Sequence, residues 1–125
     1  MDVTATMLEA AGTGGHEAMD SRSLLPLCGT GDASWPNHLV CEHNGHGEDI
    51  LQRIIMCDQF KYVAALQDGD ELYDLDQDPL ELHNVIDAPS YQDVRQDLRR
   101  RLVDHIEASG DRVARRLAYA LKQGF

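Results

Sequence analysis

The 125-residue sequence is poor in bases, with 11 Lys and Arg against 22 Asp and Glu and a formal charge of -11. A polyanion partner needs a net basic footprint to displace counterions, so nucleic acid is not an expected partner. Long apolar runs are lacking as well. No stretch approaches the ~20 residues that span a bilayer, and the N-terminus does not show the basic-then-apolar order of a secretory signal. No membrane partner is expected, and the chain reads as soluble and cytoplasmic. Cysteine is scarce: Cys28, Cys41 and Cys57 are odd in number and have no C-x-x-C spacing, which argues against both a disulfide framework and a cysteine zinc site. Three reduced, mostly buried thiols are expected instead. A hydrophobic content of 42% in this length supplies one core and one compact domain, and too little for a second.

The charges present are unevenly spread. Residues 68–87 carry eight acids (Asp68, Asp70, Glu71, Asp74, Asp76, Asp78, Glu81, Asp87) and no Lys or Arg, whereas residues 90–125 carry eight bases against five acids. An acidic middle is therefore expected to attract a basic tail.

Along the chain, residues 2–12 read as a short helix, with Asp2 as its cap, Val3, Met7, Leu8 and Ala11 on one side and Gly12 as its stop. So short a helix must dock on something, and a cap so close to Met1 reads as a chain taken from something longer. Residues 13–37 read as an irregular loop pinned by Leu24, Leu25 and Leu27. From residue 38 to 75 the pattern turns to four strands, at 38–43, 51–57, 60–66 and 71–75, with tight connections at Asp58-Gln59 and Asp68-Gly69. Four short strands in a row predict an antiparallel meander. Residues 90–109 form the clearest helix, with Tyr91, Val94, Leu98, Leu102 and Ile106 at spacings of three and four, a capping-box pattern from Ser90 to Asp93, and Gly110 as its end. A tail helix over 111–123 repeats the spacing with Val113, Leu117 and Leu121. The predicted fold class is α+β: a four-stranded antiparallel sheet with the long helix packed on one face, a short N-terminal helix and a C-terminal helical tail.

The stretch Glu71-Leu-Tyr-Asp-Leu-Asp-Gln-Asp-Pro-Leu-Glu-Leu-His-Asn-Val85 is the most informative. Asp78 before Pro79, with Glu81 at the third position, predicts one turn of helix after the last strand. Asp74, Asp76 and Asp78 also match the first three ligand positions of an EF-hand loop. However, the sixth position holds Pro79 where Gly is needed, and the twelfth holds Val85 where a bidentate Glu is needed. A zinc site on His43, His46 and Glu48 lacks a clear fourth ligand. A Ser-His-Asp set has no G-x-S-x-G to carry it, and the clusters at 12–15 and 29–31 lack the strand-before, helix-after context of a phosphate loop.

The 71–85 stretch resembles the E-L-Y-D-L-x-x-D-P-x-E-x-x-N-L segment near the C-terminus of sulfatases. Arg53-Ile-Ile-Met-Cys-Asp-Gln-Phe-Lys-Tyr62 is similar to that family's R-M-V-R-T-D-R-Y-K-Y strand pair, and Asp20-Ser-Arg-Ser-Leu-Leu-Pro-Leu27 to its D-G-R-S-L-L-P-L loop. Residues 2–12 resemble its D-I-x-P-T-x-L-x-x-A-G helix, with Ala5 in place of the usual proline. Four blocks in the family's order cover residues 2 to about 86. The resemblance implies a C-terminal subdomain, 1–125, of a sulfuric ester hydrolase of the alkaline phosphatase superfamily. Its divalent cation (calcium) and its formylglycine, made from Cys or Ser in C/S-x-P-x-R, are expected in a large N-terminal domain. That motif is absent here: Cys28 is followed by Gly-Thr-Gly-Asp, Cys41 by Glu-His-Asn-Gly and Cys57 by Asp-Gln-Phe-Lys.

No catalytic residue, metal ligand or cofactor is therefore assigned to this chain, which is expected to be inactive alone and to shape the substrate cleft. The expected partner is the missing N-terminal domain or, failing that, a second copy. The alternative is a free-standing binding or assembly module. Glu42-His-Asn-Gly-His-Gly-Glu48 resembles an E-Y/F-H-G-H segment of some sulfatases, which makes His43 and His46 candidates for substrate contact; a purely local role at a strand end is the competing reading. Arg53 is a third candidate, as an anion contact or as an ion-pair partner for the acidic stretch.

Overall fold

The computed structural model describes residues 2–13, 21–29, 35–45 and 50–123. The chain divides into two compact units, Met1–Pro36 and Asn37–Phe125.

In the first unit, helix α1 runs Asp2–Ala10 and ends at Gly12, whose φ of 67° suits glycine. Asp2 does not act as its cap. It is the first helical residue, and its carboxylate accepts the backbone N–H of Arg22 at 3.1 Å. Thr6 makes the second tie, its hydroxyl donating to Asp2 O at 2.7 Å and accepting the N–H of Leu24 at 2.8 Å. A 3-10 turn follows at Leu25–Cys28, and the Arg22 guanidinium lies 4.7 Å from the Trp35 ring centre. Polar ties hold α1, because none of its residues is buried.

The second unit contains β1 (His38–His43), β2 (Gln52–Cys57), β3 (Phe60–Ala65) and β4 (Glu71–Asp74). They form one antiparallel sheet in the order β1-β2-β3-β4. Strand alternation puts Arg53, Ile55, Cys57, Tyr62, Ala64 and Leu72 on one face, and all six are buried. The β2–β3 hairpin turns at Asp58, whose φ is 52°. The β3–β4 connection is longer than a tight pair and takes its positive φ, 83°, at Gly69 alone.

Helix α2 (Gln92–Ser109) covers the buried face with Leu98, Leu102, Val103 and Ile106. Each fully buried aliphatic side chain is worth about 2 kcal/mol, and this stripe holds helix and sheet together. The capping box is not formed. Ser90 belongs to a 3-10 turn, Pro89–Tyr91, and the α2 N-terminus has no side-chain cap. Instead Tyr91 fixes the entry, with its hydroxyl 3.1 Å from Asp74 Oδ2 and its ring edge-on to Phe60 at 6.2 Å. Gly110 ends α2 in the left-handed region, φ 68°.

Helix α3 (Arg115–Gln123) then packs on α2. Its buried residues, Leu117, Ala118 and Leu121, with Ala114 before it, differ from the expected stripe at one position. Val113 is exposed because it lies in the turn before the helix. The tail therefore completes the core rather than projecting from it. Two thiols also depart from expectation: Cys28 and Cys41 are exposed, and only Cys57 is buried.

Candidate functional site

Arg53 is the only buried charged residue in the core among the described residues, at 1% exposure. It stands on β2 opposite Glu42 of β1, and alternation turns it under the sheet. There Nε donates to Asp111 Oδ2 at 2.8 Å, and Nη2 lies 2.7 Å from the same oxygen. Nη1 donates to Gln52 O (2.7 Å), Asn44 Oδ1 (2.9 Å) and His43 O (3.4 Å), and Glu42 stands 3.7 Å from Nη2. One guanidinium thus gathers the end of β1, residues 42–44, and the corner between α2 and α3. A planar fork of five donors suits this task where a lysine would not.

Asp111 is held equally firmly. Its Oδ1 accepts the N–H groups of Val113 and Ala114 at 3.0 and 3.1 Å, which caps the approach to α3. Burial pushes its carboxyl up, but the Ala114 N–H, the Arg53 guanidinium and the Val113 N–H outweigh burial and hold it below the usual aspartate range. Arg53 therefore pairs with Asp111, 58 residues away, and not with the acidic stretch at 68–87. Sequence reading missed Asp111 and Asn44. The available signal was an Asp directly after a helix-ending glycine and before a second helix, which marks an N-cap.

His43, at the end of β1, is exposed, with Nδ1 3.4 Å from Gln52 Oε1. His46 and Glu48 lie outside the described residues. His43 and Arg53 meet at one strand end through the His43 carbonyl, leaving the imidazole facing solvent.

The 71–85 segment is a structural clasp. The helical turn expected at 78–81 is a reverse turn closed by the Glu81 N–H on Asp78 O at 3.1 Å, and Glu81 sits at φ 55°, which no helix residue adopts. The acids there serve neighbours in the fold. Asp74 Oδ1 accepts the N–H of Asp76 and Gln77 while its Oδ2 meets Tyr91, and Asp78 Oδ2 accepts the N–H of His83 at 2.7 Å. Asn84 Oδ1 bridges the N–H groups of Leu72 and Ile86, both at 3.0 Å. Lys61 pairs with Glu81, and the Tyr73 phenol is pushed up to about 12 by its bond to Glu71, with burial adding to it. Calcium ligation by Asp74, Asp76 and Asp78 does not fit, because both Asp74 oxygens and Asp78 Oδ2 are turned to protein donors. Among the described residues no three His, Cys, Asp or Glu side chains converge as a metal ion requires, and no helix is long and apolar enough to cross a membrane.

Residues 1–108 match the family model described as N-sulphoglucosamine sulphohydrolase, C-terminal. Among curated proteins, the chain is 30% identical over 107 residues to an arylsulfatase of Clostridium perfringens, covering 85% of this chain and 22% of that protein. It is 39% identical over 75 residues to the uncharacterised sulfatase YidJ of Escherichia coli, covering 60% and 15%. Among solved structures it superposes on a 2-O GAG sulfatase with a TM-score of 0.78 at 29% identity, covering 88% of this chain and 25% of that one. The chain thus spans a quarter or less of each of these relatives.

Proposed function

Because the chain belongs to the family of N-sulphoglucosamine sulphohydrolase C-terminal domains, we propose that residues 1–125 serve as the C-terminal subdomain of a sulfuric ester hydrolase, bordering its substrate cleft and leaving the chemistry to a large N-terminal domain. The family match carries the proposal, and the absence of any C/S-x-P-x-R in the sequence supports the division of labour. The formylglycine nucleophile and the calcium that stabilises charge on the sulfate oxygens belong, on this reading, to that other domain. In this chain Asp74 and Asp78, two of the three acids that superficially suit calcium, accept backbone N–H groups.

The contribution to recognition falls to the end of β1. His43 and His46 are the residues proposed to meet the sulfated substrate. Arg53, buried and committed to Asp111, Asn44 and the His43 carbonyl, acts as a positioning residue that fixes the backbone from which His43 projects. The test is a chimera in which this chain replaces the matching segment of the Clostridium perfringens arylsulfatase. His43→Ala in that chimera is expected to raise KM for a sulfated sugar several-fold with little change in kcat, and unchanged KM would refute the assignment.

A second reading, a free-standing assembly module, is favoured by one observation. Leu39, Leu80 and Leu82 are 57%, 75% and 70% exposed. In a whole sulfatase these side chains are proposed to be covered by the catalytic domain; in the chain alone they would favour self-association.

A further inference from the structure

Arg95 presents an unmet donor. Its Nη1 donates to Ile86 O at 3.1 Å, but its Nε is buried with no hydrogen-bond partner among the described residues, a position that is unfavourable when left unfilled. Arg95 lines a cavity of about 450 Å³ together with Arg99, one turn further along α2, and with Asp70 and Asp87. Leu66 and Leu117 are among its apolar walls. The volume lies within the range of small-ligand pockets and exceeds what one ion or a few waters fill. None of its lining residues belongs to the Arg53 cluster.

The charges of this cavity define what suits it. Asp70 is engaged, with Oδ2 accepting the Tyr62 hydroxyl and Oδ1 the Ala65 N–H at 3.3 Å. Two arginines and two aspartates line it, with Arg99 Nη2 also donating to Leu121 O at 3.3 Å, so the cavity carries both signs rather than being strongly basic. A bare anion is attracted by the guanidinium groups and repelled by the carboxylates. A ligand with an oxyanion at one end and hydroxyls at the other satisfies both, since guanidinium binds oxyanions in a planar fork and carboxylates accept hydroxyl protons. Apolar walls suit the face of a sugar ring.

We propose that this cavity, which lies outside the Arg53 cluster, is a binding site for a small hydroxyl-bearing oxyanion of monosaccharide-ester size, with Arg95 and Arg99 on the oxyanion and Asp87 on the hydroxyls. The test is calorimetric titration of the full chain with glucose 6-sulfate, glucose 6-phosphate, glucose and inorganic sulfate. At least one ester is expected to bind more tightly than glucose and than free sulfate, and the tighter ester identifies the oxyanion as sulfate or phosphate. Arg95→Gln is expected to weaken that binding about tenfold, the loss of one charge-assisted bond. Ala120→Phe fills the cavity from α3 and is expected to abolish binding while the far-UV spectrum stays unchanged. The proposal is overturned if neither ester binds, if glucose or free sulfate binds as tightly, or if a folded Ala120→Phe variant retains full affinity.

Discussion

Arg53 and Asp111 form the pair on which the second unit turns. With side chains 1% and 9% exposed, they join the strand end at 42–44 to the corner before α3. Removing one partner strands the other in the core, which typically costs 3–5 kcal/mol. Arg53→Met is thus expected to destabilise the chain by about 3 kcal/mol in urea unfolding. The pair also gives a pH signature. Asp111 titrates below its ordinary value in the folded state, so below about pH 4 the unfolded chain binds the proton more readily. Its contribution to stability is full above about pH 4 and lost as pH falls through the depressed folded value. Asp111→Asn should lower stability at pH 7 and flatten the acid limb of the stability curve; an acid limb as steep as in the parent would show that the depressed carboxyl is not Asp111. The Asp111 cap had a local signal in the sequence, but its pairing with Arg53 had none. A residue's partner 58 positions away is fixed by how two helices return over a sheet, and no local pattern encodes that return.

Elements were far more legible, because their periodicities are local. The four strands lie within one residue of their expected bounds, and the alternation in 52–57 and the three-and-four spacing in 92–109 follow directly from what each must bury. The errors sit at element ends, where competing partners decide. Asp78-Pro79 has the composition of a helix start, but the Asp78 side chain closes on the His83 N–H and the chain reverses at Glu81. Ser90 and Asp93 have the spacing of a capping box, yet Pro89 begins a 3-10 turn, and Tyr91 takes over the anchoring by reaching Asp74. Where geometry demands a particular residue, the sequence was clear: Gly110 holds φ 68° with its N–H on the last turn of α2. Gly110→Ala forces a β-carbon into the left-handed region and is expected to cost about 1 kcal/mol, read as a lower melting temperature.

Across the whole molecule, the fold of a sulfatase C-terminal domain is assembled around one buried sheet face, while apolar side chains elsewhere stay in contact with solvent. Leu80 and Leu82 of the 71–85 clasp stand outward beside a reverse turn that uses its polar groups internally. On the proposed arrangement they meet the catalytic domain. The isolated chain should then grow in apparent mass with concentration in light scattering, and Leu80→Glu with Leu82→Glu should return it toward a monomer. The resemblance in four ordered blocks made the family readable from sequence, whereas the recognition role proposed for His43 depends on side-chain placement at a strand end, which no sequence pattern encodes. On the proposed function this chain supplies scaffold and recognition but no chemistry. The most direct test is the initial rate of 4-nitrophenyl sulfate hydrolysis against concentration of the purified chain, with calcium present. A rate equal to buffer is expected at every concentration; a rate rising in proportion to the chain would contradict a purely non-catalytic role.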